Sequence, residues 1–290
     1  VSNQGNPRQE QASTYFVQDR SYQDEMARLR LQDQLVTTGM GGVLAEQANP
    51  TSLQHVLDIG CGTGGWLIEV AQTYPGIVQL VGVDINPRMI KYAQAQAAAQ
   101  GIADRVQFQT MDVMRKVDFP DASFDLVNER FGSSYLRTWD WPNFLMECQR
   151  VTRPGGVVRL TESENNTSNS QAMAQLYQLL RQGFHQSGHL FNADTTGVAG
   201  ELARMLNQYG LLNVQTRPHM LDYRVGTPQG DLLYEDGQRV FRSIVPFLQK
   251  WTIVPDDYDA IYKQAFSDLQ QPDSVAEWHL LTAWGTKRGA

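Results

Sequence analysis

The segment His55-Val-Leu-Asp-Ile-Gly-Cys-Gly-Thr-Gly-Gly-Trp66 constrains this chain more than any other. Val56, Leu57 and Ile59 form a short apolar run, and the chain then passes glycines 60, 62, 64 and 65. Beyond Trp66 the apolar period changes, with Leu67, Val70 and Ala71 at i, i+3 and i+4 on one helical face. A strand that ends in a glycine turn and opens a helix lets a ligand touch bare backbone, because no Cβ blocks its approach. The segment therefore marks a nucleotide-type cofactor site in an α/β fold.

Two cofactors compete for it, since Gly60, Gly62 and Gly65 also satisfy the dinucleotide pattern G-x-G-x-x-G. Asp58, two residues before the first glycine, favours S-adenosylmethionine over NAD: it can meet an ammonium group, whereas it would repel a pyrophosphate. Leu80-Val-Gly-Val-Asp84 is a second buried strand ending in an acid. Asp84 can accept both hydroxyls of a ribose, which suits either cofactor. Val106-Gln-Phe-Gln-Thr-Met-Asp112 is a third, and Asp112 suits an adenine amino group, with Met111 and Val113 offering apolar contact.

These segments, with Gly82-Val-Asp-Ile-Asn-Pro-Arg-Met89, Phe124-Asp-Leu-Val127 and Arg153-Pro-Gly-Gly156, resemble the class I S-adenosylmethionine-dependent methyltransferases. Within that class the resemblance is to the small-molecule branch that includes quinone-biosynthesis enzymes, strongest over residues 50 to 163. It implies a doubly wound, Rossmann-like seven-stranded sheet with an antiparallel last strand, an N-terminal helical lid and helical inserts after strands five and six. It also implies S-adenosyl-L-methionine as cofactor. On this reading Gly60, Cys61, Gly62 and Gly64 supply backbone around the methionine part and Asp84 holds the ribose. Ile85 and Met111 sandwich the adenine, Asp112 meets its amino group, and Met89 and Val113 complete the cofactor set. Asn128 lines the methyl end, and Arg28 partners the methionine carboxylate.

The chain divides into a tail and lid over 1–50 and a methyltransferase domain over 51–290, with a core at 51–163 and inserts at about 164–195 and 226–275. Residues 1–12 are polar and expected to be disordered. A helical pattern runs from Ser13 to about Glu46, carrying Tyr15, Tyr22, Arg28 and Gln32 as polar-tipped residues over the site. Strand and helix then alternate, the mark of a parallel sheet covered on both faces. Asp58, Asp84, Asp112, Asn128 and Glu162 should converge on the rim beyond the strand ends. Ser163 to Ser170 reads as a polar loop. Helices are expected over 171–185, 196–209, 232–248 and 258–269, and strands over 213–223 and 278–286.

Composition excludes several classes. The net charge is −7 and no run of Lys and Arg occurs, which argues against nucleic acid as the methyl acceptor. Two cysteines, Cys61 and Cys148, fit a reducing cytoplasm better than a disulfide framework. No apolar stretch approaches the length of a membrane span, and no signal-peptide core is evident.

Methyl transfer from a sulfonium is an in-line displacement, so the protein's task is to position the acceptor and, for an acidic acceptor, to take its proton. His185, in a predicted lid, and Glu162, on the rim, are the candidate bases. Arg130 stands where acceptors approach and could grip an anion or pair internally with Glu129 or Glu162. Phe131, Tyr135, Trp139, Trp141 and Phe144 lean toward a flat, apolar acceptor. The acidic residues show no cluster at metal-ligand spacing, so no metal is expected. The expected partner is a small-molecule methyl acceptor, and the inserts could equally build an acceptor pocket or a homodimer interface. The rivals are an NAD-dependent oxidoreductase, for which no Tyr-x-x-x-Lys pair is present, and a non-catalytic cofactor-binding regulator of the same fold.

Overall fold

The structure, a computed structural model, describes residues 22–192 and 197–289, with side chains described from Glu25 onward. The expectations for residues 1–12, Tyr15 and the side chain of Tyr22 lie outside the described residues.

Seven strands form one sheet in the order β3-β2-β1-β4-β5-β7-β6. β1 (His55–Ile59), β2 (Gln79–Asp84), β3 (Val106–Thr110), β4 (Phe124–Arg130) and β5 (Thr152–Ser168) run parallel. β7 (Ala276–Lys287) is antiparallel to both of its neighbours, β5 and β6 (Leu211–Tyr223). The expected sheet, including its antiparallel last strand, is the one observed. Strand order reverses between β1 and β4, so a crevice opens where the chain leaves β1 in one direction and β4 in the other.

Alternation along each strand builds two cores, one on either face. Leu57 and Ile59 join Val127, Leu160 and the buried side of α4 (Trp141–Val151). Val56, Leu80 and Leu126 face α2 (Gly65–Thr73) and α3 (Pro87–Ala99). Asn86 caps α3 by accepting from the Arg88 N–H at 3.1 Å, and Pro87 occupies the first turn, where no N–H is needed. Beyond the sheet, α5 (Gln171–Gln186), α7 (Pro228–Ser243), α8 (Val245–Trp251) and α9 (Tyr258–Asp268) bury a separate cluster around Leu176, Phe241, Phe247 and Phe266. α1 (Tyr22–Gly39) seats Leu35, Val36 and Met40 against Leu221, Trp278 and Leu280 of β6 and β7. Among the described residues no helix is long and apolar enough to cross a membrane.

Three sequence readings need correction. Ser163 to Ser170 is not a loop: β5 continues to Ser168, with Asn166 opposite Trp278 and Ser168 opposite Ala276. Ladder pairing with β7 satisfies its backbone, so polar side chains there reflect half-exposure rather than irregular structure. The helix expected over 232–248 starts earlier and is broken at Ile244, because Pro246 has no N–H to continue the ladder from α7 into α8. The helix expected over 196–209 is shortened to α6 (Leu202–Gln208), preceded by a 3-10 turn at Ala199–Glu201.

Candidate active site

The turn after β1 takes the conformation its glycines permit: φ is +68° at Gly60, +52° at Gly62 and +77° at Gly64. The Cys61 N–H donates to the Val83 carbonyl at 3.0 Å, and the Gly62 N–H donates to Asp84 Oδ2 at 3.0 Å. The other Asp84 oxygen accepts from the Asn86 N–H at 2.8 Å. One carboxylate therefore joins the ends of β1 and β2. Asp112 does similar work beyond β3, accepting from the Met114 N–H at 3.1 Å and pairing with Arg115 at 3.2 Å.

Asp58 is buried at the end of β1 and accepts from Asn128 Nδ2 at 2.7 Å. Asn128 Oδ1 in turn accepts from Arg159 Nη1 at 2.7 Å, and Arg159 Nε donates to Glu46 Oε1 at 2.6 Å. Burial pushes the Asp58 carboxyl up to about 7, against the lowering pull of Arg130 and the Asn128 hydrogen bond. On α1, Asp33 accepts from Arg130 Nη2 at 2.5 Å and from Thr63 Oγ1 at 3.3 Å. A side chain on Gly65 would collide with the Asp33 carboxylate, so that glycine lets α1 close on the start of α2.

A cavity of about 1390 Å³ begins at this turn and runs past α1 into the space among α5, α7, α9 and the ends of β6 and β7. Asp58, Gly60, Cys61, Gly62 and Asp84 line its first part. Ile85, Met89, Asp112 and Val113 line it as well, so most of the expected cofactor set converges there. The far part is aromatic, with Tyr177, Phe184, Phe241, Phe266 and Trp278 in its walls. Of the aromatics singled out in sequence, Phe131, Tyr135 and Trp139 face the cavity, whereas Trp141 and Phe144 pack in the core.

Several expected site residues are placed differently. Gly64 is not in the wall: a Cβ on it would lie 2.6 Å from the Phe108 ring and 2.9 Å from Ala93, so it serves close packing of α2 against the sheet. Met111 is half-buried against the core and is not part of the cavity wall, whereas Met114 lines it. Asn128 is wholly buried behind the wall and acts by holding Asp58. Arg28 lines the cavity, but its guanidinium is engaged by Glu25 at 2.8 Å and Asp236 at 3.3 Å, tying α1 to α7. Those carboxylates supply the partner that the sequence reading gave to a ligand. Arg130 likewise pairs with Asp33, not with Glu129 or Glu162.

Of the two candidate bases, His185 is exposed on the last turn of α5 and is not part of the cavity wall. His189, four residues on, is buried with Nδ1 2.7 Å from Ser187 Oγ. Glu162 is fully buried and meets the cavity-lining Ser133, whose N–H and Oγ lie 2.9 and 2.6 Å from its carboxylate oxygens. Burial raises Glu162 to about 7, although the Ser133 hydrogen bonds oppose it. Glu129, also fully buried, is raised well above the usual carboxylate range by burial and by the charge of Glu162. Sequence reasoning missed Asp33, Ser133 and the role of Tyr135, whose ring covers Gly60. The paired Gly64-Gly65 was the one available signal for Asp33; Ser133 depends on the positive φ of +64° at Phe131, which no motif announces. Both cysteines are buried and unbridged, and among the described residues no three His, Cys, Asp or Glu side chains group as metal ligands.

A sheet reversing at β1 and β4, a bare glycine turn and acids ending β1, β2 and the segment after β3 define a nucleotide-cofactor domain of the doubly wound class. Comparison with known proteins names the family. Residues 56–156 match the methyltransferase domain family. Ajmaline N-methyltransferase of Rauvolfia serpentina is 36% identical over 105 residues, which is 36% of this chain and 34% of that protein. Demethylmenaquinone methyltransferase of Lactiplantibacillus plantarum is 38% identical over 109 residues, 38% of this chain and 45% of that protein. The matched region thus spans less than half the length of either relative. The crystal structure of the YcgJ protein of Bacillus subtilis shares the fold with a TM-score of 0.50 and 20% identity, covering 82% of this chain and 93% of that one. The chain carries a class I S-adenosylmethionine-dependent methyltransferase domain.

Proposed function

We propose that the whole chain transfers a methyl group from S-adenosylmethionine to carbon or oxygen of a small, largely apolar acceptor. The observation that carries this reading is the continuity of one cavity of about 1390 Å³ from the glycine turn to an aromatic chamber built by the inserts. The cradle suits the cofactor: Gly62 offers backbone that no Cβ covers, Asp84 faces the ribose position, and buried Asp58 suits an ammonium group. Ile85, Val113 and Met114 offer apolar contact for adenine, and Asp112 its acceptor oxygen. When bound, the cofactor supplies an electrophilic methyl group activated by its own sulfonium charge.

The chain's residues then have three tasks. Phe131 stacks on Trp278 with centroids 5.6 Å apart, an apolar stretch of the cavity wall that leaves little there to hold water. Tyr135, over Gly60, packs against the turn and holds the acceptor's approach. Ser133 faces an acceptor hydroxyl or acidic carbon, takes its proton on Oγ and passes its own proton to Glu162. The test is direct: the purified protein is incubated with labelled cofactor and a panel of phenolic, quinone, indole and terpenoid acceptors, and products are read by mass spectrometry. A methylated product from an apolar acceptor supports the reading. Tight cofactor-product binding without turnover on any acceptor would favour the non-catalytic regulator.

A further inference from the structure

The cavity wall holds several arginines, and their partners separate them into two groups. Arg28, Arg115 and Arg130 are ion-paired with Asp236 and Glu25, Asp112 and Asp33 respectively. Arg137 and Arg181 line the same cavity and have no carboxylate within 4.0 Å among the described residues. In a chain of net charge −7, two such guanidiniums are not a consequence of general basicity. Glu164 and Asp140 also line the cavity, and Asp140 accepts from the Arg137 backbone N–H at 2.8 Å, but neither carboxylate lies within ion-pair distance of either guanidinium.

Both side chains are held in place. Arg181 Nη1 donates to Asn165 Oδ1 at 2.7 Å, which orients the fork without cancelling its charge. The Arg137 guanidinium lies over the Trp139 ring, 5.4 Å from its centroid, and its Nε is buried with no hydrogen-bond acceptor. The terminal nitrogens of Arg137 make no hydrogen bond among the described residues, so its charged fork can meet an acceptor brought into the cavity by a ligand. The two arginines stand on segments of the wall that are joined. The Thr138 N–H donates to the Gly188 carbonyl at 2.8 Å, pinning the Arg137 segment on the end of α5. Arg181 stands earlier on that helix by roughly two turns, on the order of 10 Å. A guanidinium recognises carboxylate and phosphate oxygens through its planar fork, and neither Tyr177 nor Phe184 on the same helix offers an anion a competing charge.

We propose that the methyl acceptor is an amphipathic anion, its carboxylate or phosphate held by Arg137 and Arg181 and its apolar body lodged among Tyr177, Phe184, Phe241 and Phe266. This rests on the methyltransferase reading and specifies the acceptor class for it. The test titrates decanoate, decyl phosphate and decan-1-ol into protein saturated with S-adenosylhomocysteine, following tryptophan fluorescence, because Trp139 and Trp278 border the cavity. At least one anion should bind ten-fold or more tightly than the alcohol, and the tighter of the two identifies the head group. The R137Q/R181Q double variant should lose that preference while keeping its melting temperature and its affinity for S-adenosylhomocysteine. Equal binding of alcohol and anions, binding of none of the three, or a preference that survives the double substitution would overturn the inference. Failure of the parent protein to bind S-adenosylhomocysteine would overturn the reading beneath it instead.

Discussion

Asn128 stands directly opposite Asp58 in the β4–β1 ladder, and its amide donates to the Asp58 carboxylate at 2.7 Å. The strand register thus delivers to this cavity-lining acid a neutral donor from the next strand. The same amide's oxygen accepts from Arg159, so a single side chain stands between a buried carboxylate and a buried guanidinium.

Asn128→Leu removes both hydrogen bonds while keeping the volume. Leaving two buried charges short of a partner should cost about 3 kcal/mol. Urea denaturation should show the loss, and calorimetry should show S-adenosylhomocysteine binding at least ten-fold more weakly. A variant as stable as the parent would mean that Asp58 and Arg159 find other partners.

Asp58 predicts a pH dependence. Its folded value of about 7 lies above the ordinary 3.8, so between these limits the folded protein holds a proton that the unfolded chain has released. Stability of the ligand-free protein should therefore be greatest at the acid end of that window and fall as pH rises through it. A bound ammonium favours the carboxylate, so affinity for S-adenosylhomocysteine should rise from pH 5.5 to 7.5 with release of a proton. Calorimetry at pH 6.5 in phosphate and in Tris should give binding enthalpies that differ with the buffer. Identical enthalpies would remove Asp58 from the ammonium site.

Asp84→Ala strips both the acceptor for the Gly62 N–H and the assigned ribose contact. Cofactor-product affinity should fall ten-fold or more, and Asp84→Asn should recover only part of it. Unchanged affinity in Asp84→Ala would refute the ribose assignment.

Gly64→Ala places a methyl group 2.6 Å from the Phe108 ring at a residue whose φ is +77°. Strain and overpacking together should lower stability by about 2–4 kcal/mol. Gly76→Ala, where nothing lies within 4 Å, is the matched control and should change the melting temperature little.

The two candidate bases can be separated by substitution. Ser133→Ala and Glu162→Gln should each lower turnover with an acidic acceptor by about 100-fold, the scale of general-base assistance. His185→Ala, exposed and outside the cavity, should leave turnover unchanged. Glu162→Gln should also flatten the pH–rate profile near 7, which a purely structural loss would not do.

What could be read from the sequence was whatever depends on local pattern. Val56-Leu-Asp-Ile-Gly and Leu80-Val-Gly-Val-Asp declare buried strands and their acid ends by composition alone, whereas the sheet they build was implied by the family resemblance. Glycines were legible as a group but not individually: Gly62 lines the cavity and Gly64 packs against Phe108, a distinction set by what lies beside each. Arg28 looked like a ligand residue because its helical neighbour Glu25 was not read as its partner and Asp236, 208 positions away, is invisible to a local reading. His185 drew attention by its place in an expected lid, but its side chain lies on the exposed face of the helix. Ser133 carried no signal, since its position depends on a left-handed turn at Phe131 and a carboxylate on another strand.

β7 follows every other described strand in the sequence yet lies inside the sheet, between β5 and β6. While the protein emerges from the ribosome, residues 211–223 therefore wait without a ladder until 276–287 arrive, leaving two sticky margins open over some fifty residues of synthesis. Any product cut short before position 276 would keep that gap for good, and premature termination there should yield aggregates rather than a smaller working protein.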